Sequence, residues 1–215
     1  WFGEHEFTDE GLIRFNSSSI KDLGKRYTPK LNVEVETVEY FEILSRGESL
    51  IRFIEEELKQ TEDVCGRIEK EKYCHEALEK IESVRKVIKQ IKETNIIGID
   101  KMPLDEFLTA LMSLGEMVQE IANGIVEKEI TTEEERRKSR RIYELGVEVL
   151  HVYNDLNQDM MKLINDPILI LEGEAGVGKS HLLADVVKRR EKEQQFSLFF
   201  LGQKFITDEE PFNQM

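Results

Sequence analysis

The chain has 215 residues, 40% of them hydrophobic and 34% charged, with only 4 prolines, a mix that favours a helix-rich protein of one or two domains. A net charge of −14 argues against a broad nucleic-acid-binding or anionic-membrane surface. No apolar run approaches the roughly 20 residues that span a membrane, and no signal peptide is visible, so a cytoplasmic protein with no membrane partner is expected.

Residues 1 to 36 are predicted to be an irregular linker, because the Asn16-Ser-Ser-Ser19 run, Gly24 and the Thr28-Pro29 pair are typical of loops. Residues 37 to 164 are predicted to be a helical bundle or coiled-coil hairpin. Its apolar spacing predicts helices over about 37–45, 48–94, 103–124 and 132–164. Thr131 and Glu134 form a candidate capping box for the last of these helices.

Residues 165 to 215 are predicted to be part of an α/β domain that binds nucleoside triphosphates. The apolar run from Ile168 to Leu171 predicts a buried strand, and residues 196–201 predict a second one. Between them stands Gly-x-x-x-x-Gly-Lys-Ser, the pattern of a phosphate-binding loop, followed by helical spacing. The order of strand, loop, helix and strand is the order that such a domain requires.

The loop pattern assigns specific chemistry to its residues. Glycines let backbone N–H groups converge on phosphate oxygens, and a helix N-terminus favours the negative charge. Lys179 is the candidate catalytic residue, since its ammonium can reach the β- and γ-phosphates, and the Ser180 hydroxyl is the candidate Mg²⁺ ligand. The predicted phosphate-binding residues are Gly173, Glu174, Ala175, Gly176, Val177, Gly178, Lys179, Ser180 and His181.

Two other features favour structural explanations. The basic run from Arg136 to Arg141 follows three glutamates directly, so a salt-bridged helix face explains it better than a nucleic-acid contact. Cys65, Cys74 and His75 match no zinc-binding spacing, and the two cysteines are expected to be free thiols.

Three segments together resemble the bacterial STAND NTPases, in particular the antiviral Avs (AVAST) group: residues 22–33, residues 171–185, and residues 198–205 with Pro211-Phe-Asn-Gln214. The resemblance implies ATP and Mg²⁺ as cofactors and a homo-oligomeric switch in antiphage defence. It also implies a nuclease or other effector before this chain and a sensor for a phage protein after it. The acidic residue that completes the Mg²⁺ site is expected beyond Met215.

The resemblance further suggests that Arg26, Tyr27, Thr28 and Pro29 line the adenine pocket. A helical hairpin can return the chain towards its start, so this segment can lie near the phosphate loop. Tyr27 offers a ring for a base, Arg26 a cation, and Pro29 a stiffened backbone. The alternative is that Tyr27 and Leu31 only anchor the linker.

Two other functions stay open at this point. The chain can belong to an AAA+-type motor or loader that acts on DNA, or to a helical scaffold whose nucleotide site is only structural. As part of a longer protein, the full-length chain is expected to be an ATPase, whereas residues 1 to 215 are expected to hydrolyse ATP poorly because the domain lacks its later strands.

Overall fold

The computed structural model describes residues 8–27, 37–95, 100–126, 132–195 and 197–202. Of these residues 76% are helical, which confirms the helical character predicted from the sequence. The chain forms two compact units. We call Glu39–Leu169 the helical unit, and Trp1–Val38 together with Ile170–Met215 the split unit.

The helical unit is built from antiparallel helices around one apolar core. Its elements are α2 Thr37–Leu44, α3 Glu48–Glu69, a 3-10 helix His75–Ala77, α4 Leu78–Glu93, α5 Leu104–Val126, α6 Glu133–Leu156 and a 3-10 helix Asp159–Ile164. The predicted helices near 37–45 and 103–124 are thus confirmed as α2 and α5. In the described ranges, no helix combines the length and apolarity needed to cross a membrane.

The single long helix predicted over residues 48–94 is wrong, because the chain folds there into a hairpin of α3 and α4. Ion pairs link the two helices, with Lys92 Nζ 2.7 Å from Glu62 Oε1 and Arg85 Nη1 2.6 Å from Glu69 Oε1. Folding back buries the apolar stripes of α3 and α4 in one common core, where α3 packs mainly against α6 and α4 mainly against α5. A straight helix would have left one of them in water.

The last helix of the unit begins one residue later than predicted and ends eight residues earlier. Its capping box is Thr132 with Glu135, since the sequence Thr-Thr-Glu-Glu-Glu offers two registers and the structure uses the second. The predicted partner Thr131 lies outside the described residues. After Leu156 the chain continues as the 3-10 helix, where Met161 and Ile164 are buried.

Helices α5 and α6 approach each other closely at two glycines. A Cβ atom built on Gly146 would lie 3.1 Å from the carbonyl oxygen of Gly115 and 2.9 Å from Gln119 Cγ. One built on Gly115 would lie 2.7 Å from the Leu150 side chain. Farther along, the buried Ser139 hydroxyl donates to the carbonyl of Ala122 at 2.7 Å. These contacts fix an antiparallel register in which Gly115 faces Gly146 to Leu150.

Glu57 is a buried carboxyl on the inner side of α3. It is 9% exposed, and its Oε2 atom accepts no hydrogen bond from the described residues. Burial, followed by the negative charge of Asp155, raises the pKa of Glu57, while His151 opposes the rise. The ionised form is therefore less favourable in the folded protein than in the unfolded chain.

We expect Glu57→Gln to stabilise the protein at neutral pH by about 1 kcal/mol, because an uncharged amide is cheaper to bury. Because the pKa of Glu57 is raised in the folded protein, this carboxyl stabilises the fold fully below its unfolded-state pKa. That stabilisation is lost as the pH rises through its folded-state pKa. The stabilisation gained by Glu57→Gln should therefore become smaller in mild acid. Urea unfolding across pH measures it, with the exposed Glu55→Gln as control; an equal gain in both variants contradicts the assignment.

The split unit contains α1 Asp9–Asp22, a 3-10 helix Gly24–Arg26, α7 Lys179–Lys192 and the segment 197–202. The irregular structure predicted for residues 1–36 is wrong over α1. Thr8 caps this helix, its Oγ1 accepting from the Gly11 N–H at 3.2 Å. A small apolar core holds the unit together: Ile20, Leu23, Ala184, Val187, Phe199 and Leu201.

The two predicted strands are not formed in the described residues. Ile168 and Ile170 are 76% and 75% exposed, so no neighbouring strand covers the first apolar run. A strand requires a neighbouring strand as hydrogen-bonded partner, and among the described residues none is assigned to 168–171, where the Ile168 N–H donates to the carbonyl of the nearby Asp166. Residues 197–201 are likewise outside any helix or strand, and Phe196 is not described.

Candidate functional site

The Gly-rich loop runs directly into the first turn of α7. Gly178 is the N-cap of this helix and adopts φ +95°, and Gly176 adopts φ +89°. Side chains larger than hydrogen are strained in this left-handed region, which explains why glycine occupies both positions. The loop is open to solvent, and Val177 at its tip is 62% exposed. The result is an exposed backbone turn that ends at a helix N-terminus.

Lys179 folds back over the start of the loop. Its Nζ donates to the carbonyl of Gly173 at 2.6 Å and to that of Glu174 at 2.9 Å. A Cβ atom on Gly173 would lie 3.8 Å from this Nζ and 3.2 Å from Val177 Cγ2. The loop therefore curls around the lysine ammonium, which places one fixed positive charge at the centre of the turn.

The first turn of α7 offers backbone N–H groups to a ligand. Gly178 makes no side-chain capping bond, and the first helical bond runs from the Leu182 N–H to the Gly178 carbonyl at 2.9 Å. The N–H groups of an uncapped first turn attract anions, as does the positive end of the helix dipole. Ser180 follows Lys179 on this turn and is half-buried.

Tyr27 lies against the same end of α7. Its ring centroid is 5.0 Å from that of His181, and its hydroxyl donates to Asp185 Oδ1 at 3.2 Å. Lys188 Nζ stands 4.9 Å from the ring centroid. Burial, and then the charge and hydrogen bond of Asp185, raise the pKa of the Tyr27 phenol, so the hydroxyl stays a donor at neutral pH. Tyr27 thus ties the segment after α1 to the helix that follows the loop.

The structure places Tyr27 against α7, the helix that follows the Gly-rich loop, so the two segments are neighbours in space. The structure does not describe the side chains of the other three residues of the predicted adenine segment. Arg26 ends the 3-10 helix, with only its backbone described, and Thr28 and Pro29 lie outside the described residues. The ring of Tyr27 is engaged by side chains of α7, which agrees with the alternative anchoring role; contact with a base stays a prediction.

Asn16 is a buried polar residue that fastens α1 to the far end of the split unit. Its Nδ2 donates to the Ser197 carbonyl at 2.7 Å, and its Oδ1 accepts from the Phe199 N–H at 3.0 Å. The same Nδ2 lies 3.3 Å from Glu191 Oε1 near the end of α7. The rings of Phe15 and Phe200 pack beside it, 5.1 Å apart. Helix α1 therefore belongs to the unit that carries the loop.

The roles of Asn16, Asp185 and Lys188 were missed in the sequence. A capping signal was present, since Thr8 is followed by Asp9 and Glu10, the acidic first turn that a helix favours. The run Asn16-Ser-Ser-Ser19 is typical of loops, and it favoured the prediction of an irregular segment over that of a helix. Nothing in the sequence marks the pairing of Tyr27 with Asp185, because they are 158 residues apart.

The cysteines are free thiols, as predicted. Burial raises the pKa of both Cys65 and Cys74 to about 11. At neutral pH they are therefore protonated and poor metal ligands. Within the described part of the chain, no group of three His, Cys, Asp or Glu side chains is placed to hold a metal ion.

Comparisons with protein-family models, with curated proteins and with solved structures find no match to this chain.

Proposed function

We propose that residues 173–181 bind the phosphates of ATP with Mg²⁺. The observation that carries the proposal is the position of Lys179, whose ammonium is held by loop carbonyls at the N-terminus of α7. A triphosphate concentrates negative charge, and a lysine beside uncapped N–H groups is a strong site for such charge. In this arrangement the Lys179 ammonium exchanges the carbonyls of Gly173 and Glu174 for phosphate oxygens.

The residues present fit a bound Mg²⁺ only in part. The Ser180 hydroxyl is a hard oxygen donor beside the lysine, the type of ligand that Mg²⁺ prefers. A magnesium ion bound by one or two protein oxygens and by phosphates needs no cage of protein ligands. Ser180 would thus hold the ion together with the nucleotide. An acidic partner would complete the site.

At the level of the whole protein, we propose the ATP-binding part of a STAND-type NTPase of antiphage defence. ATP binding would favour an oligomer and so couple recognition of a phage protein to an effector. The support is the resemblance of the segments around Tyr27, the phosphate loop and Leu198. The contact of Tyr27 with α7 adds to it, since it joins two of these segments.

Titration of the chain with ATP, in the presence and absence of Mg²⁺, tests the nucleotide site. We expect saturable binding that Mg²⁺ strengthens and that inorganic tripolyphosphate competes. Binding of GTP with equal affinity would leave a phosphate site without base preference and would contradict the choice of ATP. If the chain binds none of ATP, GTP and tripolyphosphate, the site itself is refuted.

Tyr27→Ala separates base contact from anchoring. If the ring contacts adenine, we expect the variant to bind ATP about tenfold more weakly and tripolyphosphate unchanged, since stacking on a base is worth about 1–3 kcal/mol. Equal losses for both ligands would show that Tyr27 only positions α7. Tyr27→Phe is the matched control, because it keeps the ring and removes the hydrogen bond to Asp185.

A further inference from the structure

A groove runs along the first half of α5, beside the end of α6. Its volume is about 420 Å³, within the range of about 300–1,000 Å³ that is usual for binding clefts. Its lining combines carboxylates with apolar and amide side chains, among them Asp105, Leu108, Met112, Glu116, Tyr153 and Asn157. The groove lies wholly in the helical unit, so what binds there is independent of the proposed nucleotide site.

The α5 side of the groove is a line of four side chains with an acid at each end. Asp105, Leu108, Met112 and Glu116 follow one another at intervals of three, four and four residues, the spacing of one helix face. The two acids lie about 16 Å apart along the axis, since each residue rises about 1.5 Å. Met112 is 43% exposed, and methionine adapts its shape to a bound apolar surface. The order along the line is therefore acid, apolar, apolar, acid.

The carboxylates of α5 are unpaired, whereas those of α6 have partners. Among the described residues, the side chains of Asp105, Glu106 and Glu116 form no ion pair and no hydrogen bond. Lys162 lies within electrostatic range of Asp105, but its Nζ is paired with Asp159 Oδ1 at 2.7 Å. On α6, four glutamates each pair with an arginine or a lysine: Glu133, Glu134, Glu144 and Glu148. The acids of the groove are thus available to a cation from outside.

A second cavity adjoins the Asp105 end of the groove. Its volume is about 260 Å³, and it shares Asp105 and Leu108 with the groove. Buried apolar side chains form part of its lining: Leu104, Leu156 and Met161. Asp166 adds an exposed carboxylate. An arginine fits this combination, because its stem packs on apolar surface while its guanidinium binds a carboxylate through two parallel hydrogen bonds.

We propose that the groove binds a basic amphipathic helix of a partner protein. The helix places two apolar side chains on Leu108 and Met112, an arginine at Asp105 and the adjoining cavity, and a second cation at Glu116. Helices that dock in grooves use anchors at this spacing. Three helical turns span about 16 Å, so a helix reaches both acids and covers the apolar pair between them. A small organic cation would occupy only one end of the line.

A synthetic helical peptide tests the proposal in a titration against the full chain, followed by fluorescence anisotropy. The peptide carries two arginines eleven positions apart and leucines four and seven positions after the first arginine, with alanine and glutamine elsewhere to favour helix. The control peptide has the same composition, with the leucines on the opposite face. Equal charge matters because a chain of net charge −14 attracts any basic peptide. We expect the designed peptide to bind at least about tenfold more tightly than the control.

Variants of the chain locate the bound peptide. Met112→Lys should weaken its binding at least about tenfold, because it places a cation against the leucines and near the arginines. Glu116→Gln should weaken it about two- to fivefold, the effect of one exposed ion pair. Glu106→Gln is the matched control, since Glu106 is also an unpaired carboxylate of α5 but lines a different groove, beside α4. It should leave the affinity unchanged.

Three results would overturn the proposal. The first is equal affinity of the designed and control peptides. The second is binding that Met112→Lys and Glu116→Gln leave unchanged, because the peptide must then lie on another surface. The third is a dimer of the chain that Met112→Lys converts to a monomer, since a second copy then occupies the groove. All three substituted side chains are exposed, and circular dichroism checks that the variants keep their helical content.

Discussion

Lys179→Ala should reduce the affinity for ATP about 100-fold. The lysine is the only cation that the structure places inside the turn of the described loop, between the carbonyls of Gly173 and Glu174. A hydrogen bond to a charged group is worth about 1.5–3 kcal/mol, and each 1.4 kcal/mol is a factor of ten in affinity. Isothermal titration with Mg²⁺–ATP measures the change directly.

Lys192→Ala is the control for this variant. It removes the same side chain from the last residue of α7, which is exposed and a full helix length from the loop. It should bind ATP as the unmodified chain does. Equal affinity of Lys179→Ala and Lys192→Ala would refute the assignment of the loop, provided that circular dichroism shows both variants to be folded.

Gly146→Ala should destabilise the helical unit by about 2 kcal/mol. The added methyl group would meet the carbonyl oxygen of Gly115 at 3.1 Å and the Gln119 N–H nitrogen at 3.3 Å. Both are backbone atoms of α5, so relief requires the two helices to move apart and to loosen the packing of the core. Overpacking of this kind costs about 1–3 kcal/mol, which exceeds the gain in helix propensity. Thermal or urea unfolding measures the effect.

Gly66→Ala is the matched control, because Gly66 is also inside a helix but has nothing within 4 Å of the position of its Cβ. It should stabilise the protein by about 0.5–1 kcal/mol through helix propensity alone. Destabilisation by both variants would show that the effect of Gly146→Ala does not come from the contact between α5 and α6.

How far the sequence predicts this structure depends on whether the signal is local. Helices α2 and α5 were predicted within a few residues, because their apolar spacing and end signals lie in the helix itself. The hairpin of α3 and α4 was missed because each stripe has helical spacing and the break at Lys70 carries neither glycine nor proline. The turn follows from tertiary packing, since the apolar residues of both helices are buried in one core with α5 and α6.

The residues of the candidate site also differ in whether their sequence signal is local. The loop from Gly173 to Ser180 is a contiguous pattern, so the sequence alone predicts phosphate binding there; the structure adds the position of the Lys179 ammonium, and the binding itself stays a prediction. The contacts of Asn16 and Tyr27 join residues more than 150 positions apart. No periodicity reports such contacts, and the Ser-rich stretch after Asn16 favoured a loop where a helix forms.

The hydrogen bonds of Asn16 restrict how a sheet can be built here. The side chain bonds the carbonyl of Ser197 and the N–H of Phe199, which are the two groups that an adjacent strand would use on that side. In an extended segment, the peptide groups of Leu198 and Phe200 point the opposite way. A strand can therefore be added along only one edge, and α1 closes the other against unwanted pairing between chains.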